Sequence, residues 1–270
     1  MEKFFLYTIF AVFLTGANTA AVFAQLVVEE GKITLSVKPG ETVVNSLTIY
    51  NTSDKTVPVK VYLTDFDYIP PYDGKKNFLP AGASSHSLKD WISFSPDEFH
   101  LFPNSKRKVN YSIKVPQDIE GGYYGVLFFE KGTPENIEGA GVKIVSRVGC
   151  LFFVEAKNKM KKGKIGDLKI AQNNQITGNF SNAGDVILIS GGVYYFMSKE
   201  DTIIDRGEIN KLYLPPQKQG SFSVNFPKKL DPGAYTLVIT FDLQDGDSVV
   251  KEVDFAKETS AQIKILEERD

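Results

Sequence analysis

Apolar and polar residues alternate with period two along most of this chain, and no stretch shows a helical period. Lys32 to Val37 alternates, as does Val43 to Tyr50 with Val43, Leu47 and Ile49 on one side. Pro58 to Tyr68 places Val59, Val61 and Leu63 on one face, and Lys108 to Val115 does the same with Val109, Tyr111, Ile113 and Val115. Such segments predict strands with one buried face. Leu26 to Glu29, Trp91 to Phe94 and Phe99 to Phe102 add shorter candidates, and Pro39-Gly40, Asn51 to Lys55, Pro103-Asn104-Ser105 and Pro116-Gln117-Asp118 supply the turns. Pro70 to Ser87 has two readings: a surface loop, or a segment with a short edge strand around Phe78. Two longer runs follow, Tyr123 to Glu130 and Val142 to Val154, joined by the Gly- and Pro-bearing segment 131–141. Seven or eight short strands with turns between them predict an immunoglobulin-like β-sandwich.

The pattern then repeats. Ile165 to Ala171, Gln175 to Asn182, Val186 to Met197, Thr202 to Asn210, Gly220 to Phe226, Ala234 to Leu243 and Ser248 to Phe255 read as strands, with Ile263-Lys264-Ile265 as a last edge strand. An internal echo links the halves. Leu47 to Asn51 followed by Thr52-Ser53 resembles Ile176 to Asn182 followed by Ala183-Gly184, and Phe102-Pro103-Asn104-Ser105 resembles Leu214-Pro215-Pro216-Gln217. The expected organisation is all-β: two immunoglobulin-like β-sandwich domains in tandem, over 25–157 and 165–270, joined by a linker at 158–164.

Residues 1–24 read as a signal peptide: Lys3, the apolar core Phe4 to Leu14, and a cut after Ala24. No downstream stretch reaches the ~18 apolar residues of a membrane helix. The mature chain is therefore expected to be exported, to the periplasm or cell surface of a bacterium, without a transmembrane segment. A net charge of −2, with 31 basic residues against 33 acidic ones, gives no reason to expect nucleic acid. The run Lys159, Lys161, Lys162 and Lys164 reads as a solvated linker. The single cysteine, Cys150, cannot form an intrachain disulfide and reads as a small buried hydrophobe.

Chemistry-bearing motifs are sparse. His86 and His100 lack metal-ligand spacing. Asp65 and Asp67 share a strand face about 6–7 Å apart, a spacing open to acid–base work or Ca²⁺ but also that of a solvated face. Asp242, Asp245 and Asp247 surround a turn. With no phosphate loop, nucleophile elbow or zinc motif, the chain reads as a non-enzymatic protein without cofactor or metal.

The order Val37-Lys38-Pro39-Gly40-Glu41, Leu47 to Thr52, Trp91-Ile92-Ser93, Val115 to Asp118 and then the long hairpin resembles the first domain of bacterial periplasmic pilus chaperones. A weaker similarity links it to the WxL-interacting surface proteins. Both families carry two immunoglobulin-like domains behind a signal peptide and bind proteins. The resemblance implies that the last strand of the first domain pairs with a partner lacking a strand, giving a partner-binding face of Val142, Ile144, Val148 and Phe152, with Ser146 and Cys150 between. It further implies a basic pair that holds the partner's C-terminal carboxylate. The equivalent positions fall near Thr34 or Leu35 and near Cys150, and the nearest basic residues are Lys32 and Arg147. The expected role is that of a chaperone or accessory for pilus or surface assembly, with an exported or surface protein as partner. The alternative is an envelope-binding or anchoring module that engages cell-wall polymer, glycan or a surface protein through loops such as Pro70 to Ser87, a reading that exposed Tyr or Trp near that loop would favour.

Overall fold

The computed structural model describes residues 26–132, 145–171, 174–245, 247–258 and 262–270. The signal segment 1–24, and Val142 and Ile144, lie outside the described residues. Among the described residues eighteen strands form two β-sandwiches, and no helix occurs.

In the first domain, β1 (Leu26–Val28), β3 (Thr42–Asn51), β8 (Lys106–Lys114) and β6 (Ile92–Ser95) make one sheet in that order. The facing sheet runs β2 (Lys32–Val37), β10 (Arg147–Ala156), β9 (Gly122–Lys131), β4 (Val57–Tyr68) and β5 (Lys76–Pro80), with β7 (Glu98–Leu101) also on β4. The expected edge strand around Phe78 is therefore β5. The alternation read from sequence is the burial pattern: Val109, Tyr111, Ile113 and Val115 are all buried, facing Phe129, Phe152 and Val154 across the sandwich. Each such side chain contributes about 1.5–3 kcal/mol on leaving water.

The second domain pairs β11 (Gly163–Ala171), β12 (Gln175–Asn182) and β15 (Gln219–Asn225) against a five-stranded sheet. That sheet runs β14 (Ile203–Leu214), β13 (Leu188–Ser198), β16 (Gly233–Asp242), β17 (Ser248–Lys257) and β18 (Ile263–Arg269). Phe180 and Phe241 stack at its centre with ring centroids 4.1 Å apart.

The internal echo corresponds to a shared corner. Asn51 ends β3 and donates from Nδ2 to the carbonyls of Lys55, Leu101 and Phe102, while its Oδ1 accepts from the Ser53 amide. Asn182 ends β12 and donates to the carbonyls of Val186 and Leu214, while its Oδ1 accepts from the Gly184 amide. Both side chains are buried and tie the strand end to the carbonyl groups before a proline turn, which leaves few buried polar groups unpaired there.

The domains meet over the outer face of the six-stranded sheet. Phe66, Tyr68, Tyr124 and Phe153 pack there with Ile187 of the second domain. The Tyr124 hydroxyl accepts a 2.7 Å hydrogen bond from the Ile187 amide, and the Tyr213 amide donates to the Tyr72 carbonyl at 2.8 Å. Gly121, at φ +64°, sits so close to Asp185 that a Cβ would lie 2.5 Å from its carbonyl oxygen. The strand β11 begins at Gly163, inside the segment 158–164 expected to join the domains. The basic run of that segment is only partly solvated. Lys162 and Lys164 are exposed, whereas Lys159 pairs with Glu155 at 3.3 Å and Lys161 with Asp245 at 2.9 Å.

Candidate partner-binding edge

The strand β10 has two neighbours along one half and a single neighbour along the other. It is antiparallel to β9 from Arg147 to Glu155. Its parallel partner β2 begins only at Lys32, opposite Leu151, and runs to Val37, opposite Ala156. Arg147 to Cys150 thus has no strand on that side among the described residues. Backbone direction follows from two bonds. The Ser146 carbonyl faces β9, accepting from the Lys131 amide, and the Leu151 amide faces the other way, donating to Gly31. By strand alternation, the N–H and C=O groups of Arg147 and Gly149 point to the open side.

The side chains divide by face. Val148, Cys150 and Phe152 point into the sandwich. Val148 is half-buried against the core, Cys150 and Phe152 are fully buried, and Phe152 meets Tyr111 edge to face at 5.0 Å. Burial pushes the Cys150 thiol up to about 12, with Glu30 adding to the shift. Arg147, Gly149, Leu151 and Phe153 point to the outer face, as odd steps along a strand require.

On that outer face the Arg147 guanidinium sits over aromatic rings. Its guanidinium carbon is 4.1 Å from the Phe128 centroid and 5.5 Å from that of Phe78. Nη1 donates to the Tyr62 hydroxyl at 3.1 Å, and that hydroxyl donates to Glu130 Oε2 at 2.6 Å. Burial and the bond to Glu130 raise the Tyr62 phenol above its ordinary value. Phe128 stands directly opposite Gly149, where a Cβ would be 2.8 Å from Val126 and 2.9 Å from the Phe128 ring. The ring occupies the space that a side chain at 149 would need.

Lys32 is four positions along the ladder from Arg147, about 13 Å at a strand's rise, so the two basic residues are not brought together. Lys32 Nζ sits 4.2 Å over the Phe153 ring, toward the second domain. Its amine is held below the ordinary lysine value by burial, and Lys161 and Lys76 push the same way while Glu155 opposes them. Lys76, not singled out from the sequence, lies 4.9 Å over Tyr68 and is lowered by burial. Its placement depends on β5 pairing with β4, which local pattern does not reveal.

The remaining candidates have structural partners. Asp65 is fully buried and accepts from the amides of Gly82 and Ser84 and the hydroxyl of Ser87, while Asp67 is exposed. Nδ1 of His86 bonds the Gly122 carbonyl at 2.8 Å, and His100 is exposed on β7. Trp91 is stacked on Tyr123 at 3.9 Å and packs against the first core, and Tyr72 is packed between the domains. Among the described residues no group of three His, Cys, Asp or Glu is placed to hold a metal, and no helix is long and apolar enough to cross a membrane.

No protein-family model matches the sequence, and no curated protein matches it. Solved structures do. A class 5 fimbriae chaperone, CfaA, matches with a TM-score of 0.50 at 13% identity, over 89% of this chain and 99% of that one. A chain of a chaperone–tip adhesin complex from CFA/I fimbriae biogenesis matches with a TM-score of 0.50 at 13% identity, over 84% of this chain and 97% of that one. The fold is that of the fimbrial chaperones. The resemblance read from the sequence is thereby found in three dimensions, across both domains. In this chain β10 is the last strand of the first domain.

Proposed function

We propose that this chain is an exported, non-enzymatic chaperone of a bacterial envelope, and that it binds a surface-protein subunit by β-strand addition to the open side of β10. The observation that carries this reading is the run Arg147 to Cys150, paired with β9 but with no strand on its other side among the described residues, continuous with a half-strand paired on both sides. An unguarded sheet edge is a template for another chain. Backbone N–H and C=O groups of Arg147 and Gly149 supply affinity, and side chains of the incoming strand supply selectivity against the sandwich rim. Val148, at the mouth of the core, is the described residue of the expected apolar face with surface left to give. Phe152 is fully buried and serves the core, and Val142 and Ile144, outside the described residues, are kept as expected members of the face. Lys32, beside Phe153 at the domain junction, provides a cation for an acidic group of the partner. A fimbrial chaperone of the same fold occurs with a tip adhesin, which fits a surface-protein partner. The loop-based alternative lacks its support, since Trp91 and Tyr72 near the loop are committed to packing.

The test uses two synthetic peptides of one composition, one with strictly alternating apolar and polar residues and one with the same residues in blocks. Titrated into the ¹⁵N-labelled mature chain, the alternating peptide is expected to shift and protect the Arg147 and Gly149 amides, and the block peptide to leave them unmoved. Binding that maps instead to residues 70–87 or to the second domain would overturn the strand-addition reading.

A further inference from the structure

A half-paired strand start is prone to fray, because each residue there gains one neighbour's hydrogen bonds instead of two. The start of β10 carries a compensating stack. Gly149 gives up its side chain, the Phe128 ring directly across the ladder fills that space, and Arg147 covers the ring from above. The Tyr62 hydroxyl on β4 accepts from the guanidinium and in turn donates to Glu130 on β9. A second ring, Phe78 on β5, meets Phe128 edge to face at 5.1 Å and braces it. The contacts all lie on the outer face, reaching across the sheet and away from the open edge. Among the described residues no strand lies beside the outward-pointing backbone groups of Arg147 and Gly149.

We infer that Arg147 is a positioning residue: its stack on Phe128 holds the open segment of β10 extended and in register in the absence of a partner. The inference rests on the strand-addition reading for its purpose but not for its test. Ordering the edge beforehand removes an entropic cost from association. A planar guanidinium is suited to this, since it covers a ring face and keeps a donor for Tyr62, whereas an ammonium makes a point contact. Arg147 on this account acts through the backbone and not by direct capture of a carboxylate.

Cys150 reports on the segment, being the last residue of the open half and fully buried when it is closed. Its labelling by a thiol reagent is to be timed in the full mature chain without any partner, at pH 8 and without denaturant. Arg147→Ala is expected to speed labelling about three- to fivefold, the scale of one exposed cation–π contact, with the urea midpoint of global unfolding nearly unchanged. Arg147→Lys should fall between the two, and Tyr62→Phe should give a smaller rise. Unchanged labelling in Arg147→Ala would overturn the inference, as would a rise matched by an equal loss of global stability. Either result leaves the peptide experiment above to judge strand addition separately.

Discussion

The two halves of β10 share a strand, a sheet and a core, and differ in one neighbour. From Leu151 to Ala156 the strand lies between β9 and β2, with Phe152 and Phe153 buried on opposite faces. From Arg147 to Cys150 it has β9 alone among the described residues, and its outer face is held by a cation over a ring. The closed half is secured by burial and two ladders, the open half by one ladder and a surface stack. The contrast shows how one neighbour fewer changes what must hold a strand in place. The last strand of the second domain shows the opposite treatment: β18 is an outer strand dense in charge, with Arg269 bridging Glu252, Asp254 and Glu267. Charge of that kind blunts an edge against pairing. The open stretch of β10 carries a single charge, Arg147, set over Phe128, and then Val148, Gly149 and Cys150.

The largest effect should come from breaking the closed half. Phe152→Ala removes a fully buried ring and its contact with Tyr111, and is expected to cost about 3–5 kcal/mol in urea unfolding. If it cost less than about 1 kcal/mol, the closed half would not be the anchor described. Gly149→Val attacks the open half at its floor. The new side chain meets Val126 and Phe128, so a loss of about 1–3 kcal/mol is expected by the same assay, with faster Cys150 labelling. A neutral outcome would mean that the ring does not rest on the glycine. The third effect depends on pH. The Cys150 thiol is raised from 9.0 to about 12 in the folded chain, so the native state keeps a proton that the unfolded state gives up. Its contribution to stability is complete below pH 9 and is lost as pH rises from 9 to about 12. Cys150→Ala should therefore flatten the alkaline fall in stability relative to the parent chain, as read from urea midpoints across that range. Parallel curves would place the thiol in water and the open half ajar.

Much of this contrast lies beyond what residue pattern carries. Period two tells which face a side chain takes, so Val109, Tyr111, Ile113 and Val115 were readable as core from spacing alone. The repeated Asn corner was readable as well, because Asn51 and Asn182 sit at the same place in two similar runs and make the same local bonds. Pattern does not tell which strand lies beside which. The pairing of β2 with β10 joins segments more than a hundred residues apart, and it alone decides where the open edge begins. The apolar run beginning at Val142 therefore reads as one long strand, whereas the described strand starts at Arg147. Arg147 looked like a candidate for carboxylate capture because its charge is visible in sequence and the rings beneath it are not. Asp65 likewise looked free for chemistry, since its partners are loop groups at Gly82, Ser84 and Ser87.

The most direct measurement is residue-resolved amide hydrogen exchange on the mature chain alone. Fast exchange is predicted for the Arg147 and Gly149 amides, which face the open side, and strong protection for Val148 and Cys150, bonded to β9, and for Leu151, bonded to Gly31. That alternation, ending at Leu151, is the signature of an ordered strand with one free edge. Protection of Arg147 and Gly149 equal to that of Leu151 would show the edge already occupied and would contradict the account.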